Sequence, residues 1–128
     1  MSTPLSESDV MRQISDFLDV KMASGSLYWD RLNSGNAYVG NIYGENKWKI
    51  SLCRKGTADI IVLKGIPFPM ALRPEEVPAV ICQVIYLEVK GPKGKQSQEQ
   101  FEFETLVKEQ GAEYYVVRSL EEVMEIIG

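Results

Sequence analysis

The stretch Ile85-Tyr86-Leu87-Glu88-Val89-Lys90, running directly into Gly91-Pro92-Lys93-Gly94-Lys95, decides the fold. It is apolar enough for a strand in the middle of a sheet. Side chains alternate along a strand, so Glu88 and Lys90 share one face while Leu87 and Val89 share the other. The strand therefore ends by delivering a carboxylate and an amine together. Upstream, Gly56-Thr57-Ala58-Asp59-Ile60-Ile61-Val62-Leu63 reads as a second apolar strand with one acid at its start. An Asp on one strand and a Glu-x-Lys on the next can hold a divalent cation against a phosphate, because hard oxygen ligands suit Mg2+ or Mn2+.

Composition narrows the alternatives. The chain has 128 residues, 45% hydrophobic and 25% charged, which is the profile of one globular domain able to bury a core without disulfides or structural metal. No apolar run approaches the roughly 18 residues of a membrane span, and the polar, acidic Met1–Asp9 segment is unlike a signal peptide. Cys53 and Cys82 have neither C-x-x-C spacing nor a disulfide framework, so a reducing cytoplasm and two small core thiols are expected. Histidine is absent. That removes Ser-His-Asp and Cys-His catalysis, His-ligated zinc and His-based nucleases, and leaves acid–base work to carboxylates, lysine, tyrosine or metal-bound water.

The net charge of −4 is unevenly placed. From Lys21 to Asp59 six basic residues face three acidic ones, and Lys90, Lys93 and Lys95 add a basic cluster, whereas the tail from Gln96 carries eight acids against Lys108 and Arg118. A basic working face on an acidic body is compatible with a phosphate-rich partner.

Around these strands the remaining elements follow from periodicity. Ser6 to about Met22 is a helix with Val10, Ile14, Phe17 and Leu18 as its apolar stripe and Ser6 as N-cap; Glu7 continues that stripe and faces inward or toward its edge. Gly25 to Gly35 is a polar loop. Ala37–Ile42 and Lys47–Cys53 form a hairpin around Tyr43-Gly44-Glu45-Asn46, with Trp48, Ile50 and Leu52 alternating against Lys47, Lys49 and Ser51 as in a sheet with one wet face. Lys64 to Ala79, with Pro67, Pro69, Pro74 and Pro78, is a long connection rather than a helix or a central strand. Val80 to Lys90 is the central strand. Ser97-Gln98-Glu99-Gln100 is a capping box opening a helix to about Glu109, closed by Gly111. Glu113–Arg118 is the last strand and Ser119–Ile127 a short capped helix. The order implies a mixed α/β fold, with helices packed on a mixed sheet.

Phosphodiester hydrolysis needs an activated water and neutralisation of the charge developing on phosphate. Asp59 and Glu88 are the expected direct ligands of Mg2+ or Mn2+, the Val89 carbonyl a third, and Glu7 completes the shell directly or through water. Lys90 would orient or deprotonate the attacking water, and Gln100 would hydrogen-bond Lys90 or that water from the helix side.

In this order Glu7, Arg31-Leu32-Asn33-Ser34-Gly35, Gly56-Thr57-Ala58-Asp59, Glu88-Val89-Lys90-Gly91-Pro92-Lys93-Gly94 and Ser97-Gln98-Glu99-Gln100 resemble the virus-type replication-repair nuclease (VRR-NUC) family. That family belongs to the PD-(D/E)xK superfamily. The resemblance covers roughly Glu7 to Val123, and departs from the usual pattern at Ala58, where members generally carry proline. It implies a restriction-endonuclease-like core in a single domain over 1–128, metal ligation by Glu7, Asp59 and Glu88, and Lys90 and Gln100 as catalytic residues, with Gln98 the fallback if the register differs. Arg31, Asn33, Ser34, Lys93 and Lys95 are the expected DNA contacts. Stand-alone members, from phages and bacteria, resemble homodimeric, structure-selective endonucleases that cut four-way (Holliday) junctions. A dimer also suits a junction that needs two symmetric cuts from chains with one site each. Loops around Tyr28-Trp29 and Ile66–Leu72 are candidate pairing surfaces, although plain core packing is the stronger expectation for them. Two alternatives are a DNA-binding module that keeps the fold without cutting, and a phage or bacterial protein-interaction domain.

Overall fold

The computed structural model describes residues 4–40, 44, 48–67 and 80–128. Most of the hairpin turn (Tyr43, Glu45 and Asn46), its flanking Ile42 and Lys47, and Phe68–Ala79 of the proline-rich connection lie outside the described residues.

The first helix, α1 (Glu7–Ala23), starts where expected, and a capping box explains why. Ser6 Oγ accepts from the Asp9 amide while the Asp9 side chain accepts from the Ser6 amide, satisfying two donors that the helix start would otherwise leave open. Val10, Met11, Ile14 and Leu18 form its buried stripe.

Strands β1 (Tyr28–Arg31), β4 (Ile60–Pro67), β5 (Val80–Val89) and β6 (Glu113–Val117) make one mixed sheet in the order β1-β4-β5-β6. The pairs β1/β4 and β4/β5 are antiparallel, and β5/β6 is parallel. A parallel neighbour requires a crossover, supplied by α2 (Gln98–Glu109). A separate two-stranded sheet joins β2 (Asn36–Val39) to β3 (Trp48–Ser51), and α3 (Leu120–Ile127) ends the chain.

Strand alternation divides the sheet into two environments. Ile60, Val62, Ile85, Leu87, Val89 and Val117 face α1 and α3 and form the core with Val10, Ile14, Leu18, Val123 and Ile127. On the opposite face Tyr86 and Tyr114 pack on Phe103 of α2, the Tyr86 and Phe103 rings meeting edge-on at 5.0 Å. No residue of α2 is fully buried. None of the described helices is long and apolar enough to cross a membrane.

Four expectations are corrected. The segment taken as a polar loop contains β1, whose four residues pair with Ile60–Leu63; Trp29 packs against the core and donates to Asp19 at 2.9 Å. Strand β4 runs past Leu63 to Pro67, which is tolerated because a proline at the last strand position removes no interior ladder bond. The apolar face of the β2–β3 hairpin meets no layer among the described residues: Trp48, Ile50 and Leu52 are exposed. The cysteines are not core thiols, since Cys53 is half-buried and Cys82 lies exposed toward the outer end of β5.

Candidate active site

The site forms where β4 begins and β5 ends. Asp59 immediately precedes β4, and its carbonyl accepts from Leu32 just beyond β1, so the start of this strand is fixed from one side. From the other side the Val89 amide donates to Asp59 Oδ2 at 2.8 Å. Extending the Ile60–Leu87 register by one residue sets Asp59 opposite Glu88. Val89, expected to offer its carbonyl, meets Asp59 through its N–H.

Glu88 is 3% exposed. Gln100 Nε2 donates to its Oε1 at 2.9 Å, and Lys90 Nζ lies 3.5 Å from the same oxygen. Its other oxygen, Oε2, is buried and has no hydrogen-bond partner among the described residues. Burial, and then the Asp59 carboxylate beside it, push the Glu88 carboxyl up to about 8, with Lys90 pulling in the opposite direction.

Gln100 is held by the same capping box that starts α2. Its Oε1 accepts from the Ser97 amide while its own amide donates to Ser97 Oγ, which leaves Nε2 aimed at the sheet. The expected partner was Lys90 or a water. The partner found is Glu88, because α2 sets its first turn over the strand end rather than over the turn beyond it.

The turn after Lys90 is pinned where it leaves the strand. Arg118 donates to the Gly91 carbonyl at 2.7 Å, and the Lys90 amide donates to Val117. Gly94 packs on the aliphatic stem of Lys90, where an added Cβ would come within 3.2 Å of Lys90 Cδ. Gly91 abuts the first residue of α1, its Cβ direction meeting Glu7 at 3.6 Å. Lys93 and Lys95 are exposed on this turn.

Glu7 is exposed rather than inward-facing, and it lines a cleft of about 400 Å³ with Ser8, Met11, Arg12, Ser15, Arg31 and Asp59. Its position as the first residue of α1 puts it at the rim, one turn before the buried stripe begins. Among the described residues no three acids stand together at metal-ligating spacing. Asp59 and Glu88 are therefore a pair, and Glu7 reaches them only across the cleft. Ser34 borders a different concavity of about 660 Å³, shared with Arg54 and Lys55, while the Asn33 carbonyl accepts from the Cys53 amide. Gln98 turns along its own helix toward Glu102, so the register favours Gln100.

No family model, curated protein or solved structure matches this chain.

The buried pair fits a hard divalent cation. A buried Glu88 carboxyl whose proton affinity the neighbouring Asp59 raises, with one oxygen that meets no donor among the described residues, offers the donor type that Mg2+ and Mn2+ take. Arg12 and Arg118 were not singled out from sequence: one acts from the outer surface of α1 and the other from the strand beside β5, and neither belongs to a spaced motif.

Proposed function

We propose that the chain is a Mg2+- or Mn2+-dependent endonuclease that hydrolyses phosphodiester bonds in DNA, of the VRR-NUC type with a restriction-endonuclease-like core. The observation that carries this reading is Glu88: a buried carboxylate beside Asp59, held by Gln100 and faced by Lys90, with its second oxygen meeting no donor among the described residues.

Asp59 and Glu88 would hold the cation, with Glu7 approaching from the cleft rim. When bound, such an ion supplies positive charge against the phosphate and lowers the cost of ionising a water. Gln100 keeps Glu88 from turning away, and the Asp59–Val89 hydrogen bond keeps the two strands in register. Lys90, 14% exposed and stiffened by Gly94, keeps its Nζ at the mouth of the site. There it would orient or deprotonate the attacking water and offset phosphate charge. Lys93 and Lys95 on the following turn add attraction for the DNA backbone.

The substrate we favour is branched DNA, above all a four-way junction cut by a homodimer in the cytoplasm of a bacterium or phage-infected cell. One site per chain and a substrate with two equivalent strands support that choice.

Labelled junction, duplex and single strand, each with Mg2+, Mn2+ or EDTA, test it. The wild type is expected to cut in either metal and not in EDTA, and Lys90→Ala to lose roughly a hundredfold or more in rate while still binding DNA. Undiminished cutting by Lys90→Ala would place the active site elsewhere. Binding without cutting in both metals would favour a non-cleaving module, and loss of DNA and metal binding together a protein-interaction domain.

A further inference from the structure

The cleft between α1 and the start of β4 has a feature that cation binding does not use. Glu7 and Asp59 share it with two guanidinium groups, Arg12 and Arg31, contributed by different elements. Arg12 is largely exposed and is tethered on one side. Asp9 is fixed by the Ser6 capping box, and Arg12 Nη2 contacts Asp9 Oδ1 at 3.2 Å, one turn along the helix. One carboxylate oxygen engages one of the five guanidinium donors, so most of the fork stays available to a planar acceptor. Arg31 enters from the sheet side: pairing with Ile60 puts it on the α1-facing side of β1, the same side as the cleft. A volume of about 400 Å³ suits one phosphate with its sugar.

We infer that Arg12, together with Arg31, forms a subsite for an uncleaved backbone phosphate of the DNA, adjoining the phosphate that meets Asp59 and Glu88. The inference rests on the nuclease reading of that pair, and it adds a substrate contact that no sequence pattern assigned. Two guanidiniums beside two acids serve a polyanion well. The acids alone repel DNA, and the arginines hold the chain at the neighbouring phosphate while the acids face the one to be cut.

Equilibrium binding in EDTA tests the subsite without any cleavage. Wild type, Arg12→Ala and Arg12→Lys are compared on duplex and four-way junction over a salt series. Arg12→Ala is expected to bind roughly tenfold more weakly, with a log K against log[salt] slope shallower by about one. Arg12→Lys should restore the slope while regaining only part of the affinity. In wild type, one methylphosphonate at the contacted position should reproduce the loss, and in Arg12→Ala the same substitution should add nothing. Arg12→Ala binding with wild-type affinity and slope would overturn the inference and leave Arg12 as a surface partner of Asp9. Failure of the nuclease reading would look different: Arg12-dependent DNA binding would persist while the wild type left every DNA intact in Mg2+ and Mn2+.

Discussion

Burying one carboxylate against another is unfavourable unless a positive group joins them, and Glu88 is placed in that position. In metal-free protein the folded state keeps the Glu88 proton up to about 8, whereas the unfolded chain releases it near 4.5. Between those values the unfolded state binds fewer protons, so stability falls as pH rises from about 4.5 to about 8 and then levels off. Urea midpoints in EDTA across that range should show the decline, and Glu88→Gln should flatten it. Saturating Mn2+ should raise the midpoint most at the alkaline end, where the ionised pair is costliest, and Asp59→Ala should remove that protection. These residues were legible in the chain because strand alternation alone puts Glu88 beside Lys90, and because a Ser followed three residues later by Gln announces both a helix start and a side chain turned back over it. The partner of Gln100 was not legible. It depends on how α2 sits over β5, which is a property of the packing between them.

At the scale of elements, the junction between the β3–β4 turn and α2 sets the distance from Asp59 to Gln100. Gly56 has φ +93°, and a methyl there would overlap the Glu99 carbonyl in the first turn of α2. Lys55 spans the same junction to Glu99 at 3.3 Å. Gly56→Ala is therefore expected to cost about 1–3 kcal/mol, read from urea unfolding, and to lower cutting further by displacing Gln100 from Glu88. Rescue of stability by additives without rescue of rate would separate the two effects. Ser97→Ala removes the oxygen that accepts from the Gln100 amide and should cost about 1 kcal/mol, measured the same way. The helices were readable from their caps and apolar stripes. Strand β1 was not, since Tyr28-Trp29-Asp30-Arg31 is short, pairs on one side only among the described residues, and buries just Trp29 in part, so no alternation marks it. The β2–β3 hairpin shows the converse: its alternation is clear, yet its apolar face meets no layer among the described residues.

For the whole molecule, α1 and α3 cover one face of the sheet and bury the strand residues that alternate with the site. Leu87 and Val89 are fully buried on that side while Glu88 between them faces α2. The site is thus built on a strand paired on both sides, by β4 and β6. Leu87→Ala should cost about 2–5 kcal/mol and loosen the site through the strand, lowering metal affinity as well as stability. Homodimerisation, which two symmetric cuts require, is checked by sedimentation equilibrium, where a mass of two chains is expected with and without junction DNA. The overall α/β arrangement followed from the order of apolar runs and caps. The pairing of β1 with β4, and the meeting of the α1 start with the turn after β5, could not be read because both are contacts between segments far apart in the chain. The most direct measurement is anomalous diffraction from crystals soaked in Mn2+. A peak within coordinating distance of Glu88 Oε2 and the Asp59 carboxylate, absent in Asp59→Ala crystals, is the expected result. Metal-dependent cutting with no ion between those two side chains would contradict it.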